Sequence, residues 1–294
     1  MGSMEGMGFE QSETIENKGI AAELGQVLEG VPPEEGYLPD RELQASIIRE
    51  LPENLVEELH AHLMANEIEQ RKIAGERGKE FKEIPDDRVI KGELFERLAA
   101  AQYGRAGAEA QDPRLAGELS QELVQLMHNP ERVALGPQIG HIRNPDLAFF
   151  KINDQGKVEI EAAGEVKLGL LDERSAAQIG GGFKNGIQRM VRAVNQVEKP
   201  EEFGLTATAK SRTRGGSLGV SKELKVKLIV PADRNLDKKE SLINRSNFQE
   251  EDYAHLAELL KDESKIEILK SAFSWREVAE ISYYLLGKIR ERYK

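Results

Sequence analysis

Within Arg143–Gly169, RNPDLAFFKINDQGKVEIEAAGEVKLG, three residues have the types and spacing for hydrolytic chemistry: Asp146, Glu165 and Lys167. The stretch reads as two strands around Asp154-Gln155-Gly156-Lys157. With Gln155 and Gly156 as the two central residues of the turn, Asp154 faces Lys157. Counting back along both strands then sets Asp146 opposite Glu165, with Lys167 on the same face. A four-residue loop would leave the acids as diagonal neighbours. Directly opposed side chains have Cβ atoms about 4.5–5.5 Å apart, close enough for two carboxylates to repel and for one to be driven towards protonation. A divalent cation relieves that conflict. Hard oxygen ligands suit Mg²⁺, with Mn²⁺ as the alternative ion, and such a site tolerates one or two carboxylates plus water and phosphate. The chemistry expected of this trio is therefore attack of a metal-activated water on a phosphodiester, assisted by the lysine. The competing expectation is plainer: charged residues alternating along a strand are most often the solvated side of a half-buried sheet.

The elements that must position the trio follow from periodicity. Residues 1–40 are rich in Gly, Glu and Pro and read as a loosely ordered arm with one short helix near Ile20–Leu28. From Arg41 to Glu80 the pattern is helical, with Pro52 in a first turn and Leu55, Leu59 and Leu63 at helical spacing. Lys91–Gly104 predicts another helix, Ala116–Met127 a further one, and the stretch from Val133 a short strand. In the second strand of the hairpin, strict alternation puts Val158, Ile160, Ala162, Val166 and Leu168 on one face. Glu159, Glu161, Glu165 and Lys167 then take the other. Phe183–Val197 reads as a helix, LKVKLIVPAD as a buried strand, and everything from Ser241 as helices. An α/β core with helical additions results.

Bulk composition narrows the class. The 294 residues include 52 acidic against 41 basic, a net charge of −11, which weighs against a surface coated for nucleic acid. No apolar run approaches the roughly 18 residues that span a bilayer, and no basic-then-apolar leader opens the chain. A cytoplasmic location without membrane partners is expected. Cysteine is absent, which excludes disulfides and thiolate metal ligands.

Pro145-Asp146 followed by Glu165-Val166-Lys167 resembles the PD-(D/E)XK, or restriction-endonuclease-like, nuclease superfamily. The order helix, three-stranded meander, helix, strand is similar as well. KGELFER, from Lys91, looks like the start of the first core helix in archaeal Holliday-junction resolvases of that superfamily. The resemblance spans Lys91–Ala232, about half of the chain. It implies a mixed central sheet flanked by helices. Its expected boundaries are an N-terminal arm and helical region over 1–84, a nuclease-like core over 85–235, and a C-terminal helical extension over 236–294 that packs on the core. It also implies Mg²⁺-dependent endonuclease activity on DNA, with a homodimer as the form in which such enzymes often cut both strands. Asp146 and Glu165 would hold the metal, Lys167 would assist the water, Glu96 (rather than Glu93) would be the third acid, and Gln188 a positioning residue. Lys184, Arg189 and Arg192, near Gln188, would contact nucleic acid.

Lys210, Arg212 and Arg214, in a Gly/Ser/Thr-rich loop, suit contacts to a phosphate backbone. Gly180–Gly182 lacks the Lys-Ser/Thr of a nucleotide-binding loop and reads as a connection. His60 and His62, two apart on a helix, point to different faces and read as surface residues. His141 is a weak accessory to the site, Glu161 an exposed neighbour, and Trp275 with Tyr283 and Tyr284 packing of the last helix. Two alternatives stay open: the same chemistry on RNA, and a catalytically silent nuclease-like domain serving as a scaffold, which the acidic balance favours.

Overall fold

The structure is a computed structural model. It describes residues 10–76, 78, 80–81, 85–110, 124–126, 145–153, 155–177, 179–180, 187–188, 191–192, 195–196 and 216–293, with backbone alone for 10–18, 104–110, 124–126, 152 and 174. The chain forms two compact units, Met1–Leu98 with Ala272–Lys294, and Ala99–Ser271.

The first unit is helical: α1 Glu10–Glu29, α2 Arg41–Arg49, α3 Leu55–Glu76, the first half of α4 (Asp86–Ala110), and the C-terminal helix. The short helix expected near Ile20 extends further towards the N-terminus, back to Glu10, and its Leu24 and Leu28 are buried. Opposite them the C-terminal helix buries Val278, Ile281, Leu285 and Ile289, spaced to form one stripe. The start of that helix is fixed by a reciprocal cap, in which Ser274 and Glu277 each accept the other's backbone N–H. Trp275 and Tyr283, expected to pack inside, are instead 41% and 51% exposed, with the Lys91 ammonium over both rings.

The second unit is a five-stranded mixed sheet in the order β1 (Val124–Leu126), β2 (Leu147–Ile152), β3 (Val158–Val166), β4 (Gly219–Val230), β5 (Ile266–Lys270). The first three strands form an antiparallel meander, and β4 and β5 add in parallel. Residues 124–126 are thus strand where a helix was expected, and the strand expected from Val133 lies outside the described residues. Strand β5 was also missed: IEILK is five residues long, inside a stretch of helical pattern. Among the described residues, further helices include the short α5 (Glu173–Ala177), α6 (Glu250–Lys261) and α7 (Trp275–Arg292), the last being the C-terminal helix above. Positions 187–188, 191–192 and 195–196 are helical, as the pattern of Phe183–Val197 predicts.

One face of the sheet carries Ala148, Phe150, Val158, Ile160, Ala163, Leu228 and Val230, packed with Ile187 and Val191 and with Leu256 and Leu260 of α6. On the other face, Tyr103 of α4 meets Phe149 edge-on at 6.3 Å and its hydroxyl donates to the Lys270 carbonyl. Burial raises the Tyr103 pKa, helped by the negative charge of Glu267. Among the described residues no helix is long and apolar enough to cross a membrane.

Two departures from simple alternation set the register. The turn is one residue longer than expected: Lys157 pairs with Asn153 rather than with Asp154, which lies outside the described residues. Gly156 sits at φ 71°, in the left-handed region that closes three-residue hairpins, and the Asn153 side chain accepts from the N–H groups of Gln155 and Lys157. A bulge then compensates. Phe150 faces Ile160 but Phe149 faces Ala162, so Glu161 is the extra residue, and Leu147 faces Gly164. Continued by one step, the ladder sets Asp146 across from Glu165, the expected pairing reached by a different route.

The bulge also reverses the expected faces. Ala163, and with it Glu165, lies on the face of Val158 and Ile160, not with Glu159. Beside it, Gly164 is closely covered: an added Cβ would lie 2.8 Å from Leu147 Cβ and 2.9 Å from Phe149 Cε2. Gly164→Ala is expected to destabilise the sheet unit by roughly 1–3 kcal/mol, read as a lower midpoint in urea titration.

Candidate active site

Asp146, Glu165 and Lys167 come together at the edge where β2 begins and β3 ends. Pro145, buried, leads into Asp146, whose Oδ2 accepts the Val166 N–H at 2.8 Å. That bond clips the head of β2 to the residue after Glu165. Lys167 donates its own N–H to the Ile229 carbonyl, extending the parallel ladder with β4 past the acid. Its ammonium lies 2.7 Å from Glu165 Oε1.

Glu165 is 1% exposed, and its second oxygen, Oε2, is buried with no hydrogen-bond partner among the described residues. Desolvation raises its pKa from the ordinary 4.5 to about 8, with the charge of Asp146 adding to the rise; Lys167 pulls the other way and Asp172 pushes up again. Burial and the neighbouring acids thus favour the neutral carboxyl over the carboxylate. A solvated strand face would produce neither the burial nor the shift, so the plainer expectation does not hold at Glu165. The donor set is all oxygen, one atom of it buried and unsatisfied, and it fits a hard divalent cation. Asp146 and Glu165 are the residues that would hold one. Among the described residues there is no group of three or more His, Asp or Glu placed to hold a metal.

The other expected residues are distributed as follows. Glu96 is half-buried in the helical unit. In the same helix Glu93 is the more deeply buried acid, 3% exposed, and it receives Arg97 Nε at 2.7 Å and faces His62 Nδ1 at 3.4 Å. Arg97 also pairs with Glu58. His60 stacks on Tyr293 at 3.8 Å. The two histidines do diverge, but both are packed rather than surface residues. Gln188 is half-buried, adjacent to Ile187 in the helical stretch covering the same face of the sheet as Glu165. Arg192 is exposed. Glu161 occupies the bulge, half-buried. Lys184, Arg189, Lys210, Arg212, Arg214 and His141 lie outside the described residues, as do Gly181 and Gly182.

Two residues at this edge were not picked out from sequence. Asp172 caps α5, accepting from the Ser175 N–H and hydroxyl, both at 2.8 Å, and its charge reaches Glu165. The D-x-x-S spacing in LLDERS carries that cap signal. Arg234 follows β4 and donates from Nη2 to the Leu168 carbonyl at 2.9 Å. Its signal was its place just beyond the carboxyl end of a parallel strand, where α/β sheets bind ligands. The helical unit has its own open cavity, about 310 Å³, walled by His60, Met64, Phe81, Arg290 and Tyr293, and none of the expected acids lines it.

Set against protein-family models, curated proteins and solved structures, the chain has no significant match in any of the three comparisons.

Proposed function

We propose that the chain is a metal-dependent nuclease with a restriction-endonuclease-like core, hydrolysing phosphodiester bonds in DNA. The observation that carries the reading is the buried carboxyl of Glu165, one oxygen without a partner, held beside Asp146 and Lys167 at one strand edge. The strand order supports it too: an antiparallel meander delivers the Asp and the Glu-x-Lys, and a parallel strand backs them. Mg²⁺ bound there would supply a Lewis acid and an acidified water. Asp146 contributes a charge fixed by the Val166 N–H, so it needs little reorganisation to act. Glu165, as a carboxylate, would be the second residue to hold the ion. Lys167, 30% exposed at its side chain and paired with Glu165, would turn its ammonium to the phosphate to offset developing negative charge.

One observation favours a second reading, the catalytically silent scaffold. Lys167 already pairs with one Glu165 oxygen, a closed contact that needs no metal. Nicking of supercoiled plasmid in Mg²⁺ separates the two. Asp146→Asn retains an acceptor for the Val166 N–H and removes the charge. The nuclease reading expects nicking by the wild type and a loss of roughly 10³-fold in the variant, equivalent to the several kcal/mol of charge stabilisation a metal supplies. A wild type that leaves plasmid intact with both Mg²⁺ and Mn²⁺ contradicts it.

A further inference from the structure

Two buried side-chain atoms in the sheet unit have no hydrogen-bond partner among the described residues: Glu165 Oε2, an acceptor, and Arg234 Nε, a donor. Both belong to the same strand edge. After β4, the Arg234 N–H bonds back to the Pro231 carbonyl at 3.1 Å, turning the chain so that the guanidinium reaches the Leu168 carbonyl, one residue beyond Lys167. A guanidinium has five N–H donors in a planar fork, and an enclosed donor left unmade costs free energy that a nearby oxyanion recovers. Once ionised, the orphan carboxyl oxygen asks for a cation, and the orphan donor asks for an anion. A metal-bound phosphodiester brings both.

We propose that Arg234 is a phosphate-holding residue of this site, gripping a non-bridging oxygen of the strand beside Lys167. The proposal rests on the nuclease reading. Pinned through Nη2, the fork is preoriented and loses little side-chain entropy on closing. It also gives an acidic chain a fixed cation where its expected substrate is most negative.

The test is binding of a fluorescein-labelled DNA duplex, by anisotropy, to Asp146→Asn protein, which is not expected to cut. Arg234→Gln and Arg234→Lys are compared in that background across a salt series. Glutamine removes the charge and is too short to replace Nη2 at the Leu168 carbonyl, whereas lysine reaches further and keeps the charge, so urea midpoints of both variants report any structural loss separately from binding. The expected result with Arg234→Gln is about tenfold weaker binding, with the slope of log affinity against log salt reduced by about one. Arg234→Lys retains the slope, because the charge remains. Unchanged affinity and slope in Arg234→Gln overturn the assignment of Arg234 alone. Absence of any duplex binding in the parent protein, combined with intact plasmid in the wild type, overturns this proposal and the nuclease reading together.

Discussion

Glu165→Gln is expected to abolish metal-dependent cleavage while making the metal-free protein more stable at alkaline pH. On the proposed nuclease reading, the loss of activity, roughly 10³-fold or more, follows from removing one of the two proposed carboxylate ligands. The gain in stability follows from linkage. Burial and Asp146 raise the Glu165 pKa in the folded chain to about 8, against an ordinary value near 4.5. The folded state therefore binds this proton more tightly than the unfolded state does. That contribution to stability is fully present below about pH 4.5 and is lost as pH rises through about 8. Glutamine has no proton to lose, so its profile lacks the decline. At pH 9 the variant should exceed the metal-free wild type by roughly 4–5 kcal/mol, while the two converge near pH 4. Urea titrations in EDTA at the two pH values measure it. Adding Mg²⁺ at pH 9 should raise the wild type and leave the variant unmoved. A wild type whose stability is flat between pH 5 and 9 would show that Glu165 is not held as described.

The second large effect lies in the helical unit. Glu277, 2% exposed, accepts Arg41 Nη1 at 2.7 Å, Gln44 Nε2 at 2.9 Å and the Ser274 N–H at 2.9 Å, with the Tyr37 hydroxyl at 3.3 Å. Gln44 and Tyr37 also donate to the Ala272 carbonyl, which ties α2 and its leading loop to the start of α7. Glu277→Ala leaves the Arg41 charge and the Gln44 amide facing an apolar gap and breaks the cap of α7. Breaking a fully buried pair from one side costs about 3–5 kcal/mol, and with Arg41 34% exposed a loss near the lower end, about 3 kcal/mol, is expected. Glu277→Gln keeps an acceptor for Ser274 and should cost less than half as much. Helical ellipticity followed through urea unfolding gives both numbers. A Glu277→Ala variant within 1 kcal/mol of wild type would contradict this account.

What could be read from the sequence depended on how local the signal was. The helices over Arg41–Glu76 and the strands of the hairpin follow from periodicity, because each repeats a pattern over several turns or pairs. Strand β5 was lost because five residues between two helices offer too few repeats. The pairing of Asp146 with Glu165 was legible, but through two misreadings that cancel: a turn one residue longer and a bulge at Glu161. The burial of Glu165 was not legible at all. Strict alternation puts it with Glu159 in solvent, and only the bulge, a tertiary feature, moves it to the core face. Glu93 was passed over for Glu96 on the strength of a motif, although Arg97, four residues on, marked it as a paired acid in advance. Arg234 gave no motif because its role depends on where β4 ends.

The most direct measurement is the anomalous signal of Mn²⁺ in crystals of the wild-type protein. The account predicts a peak at ligating distance from the carboxylates of both Asp146 and Glu165, with Lys167 displaced from Glu165. Fully diffusing crystals that give no peak at that edge, and Lys167 still seated on Glu165, would contradict the claim that these residues form a metal centre.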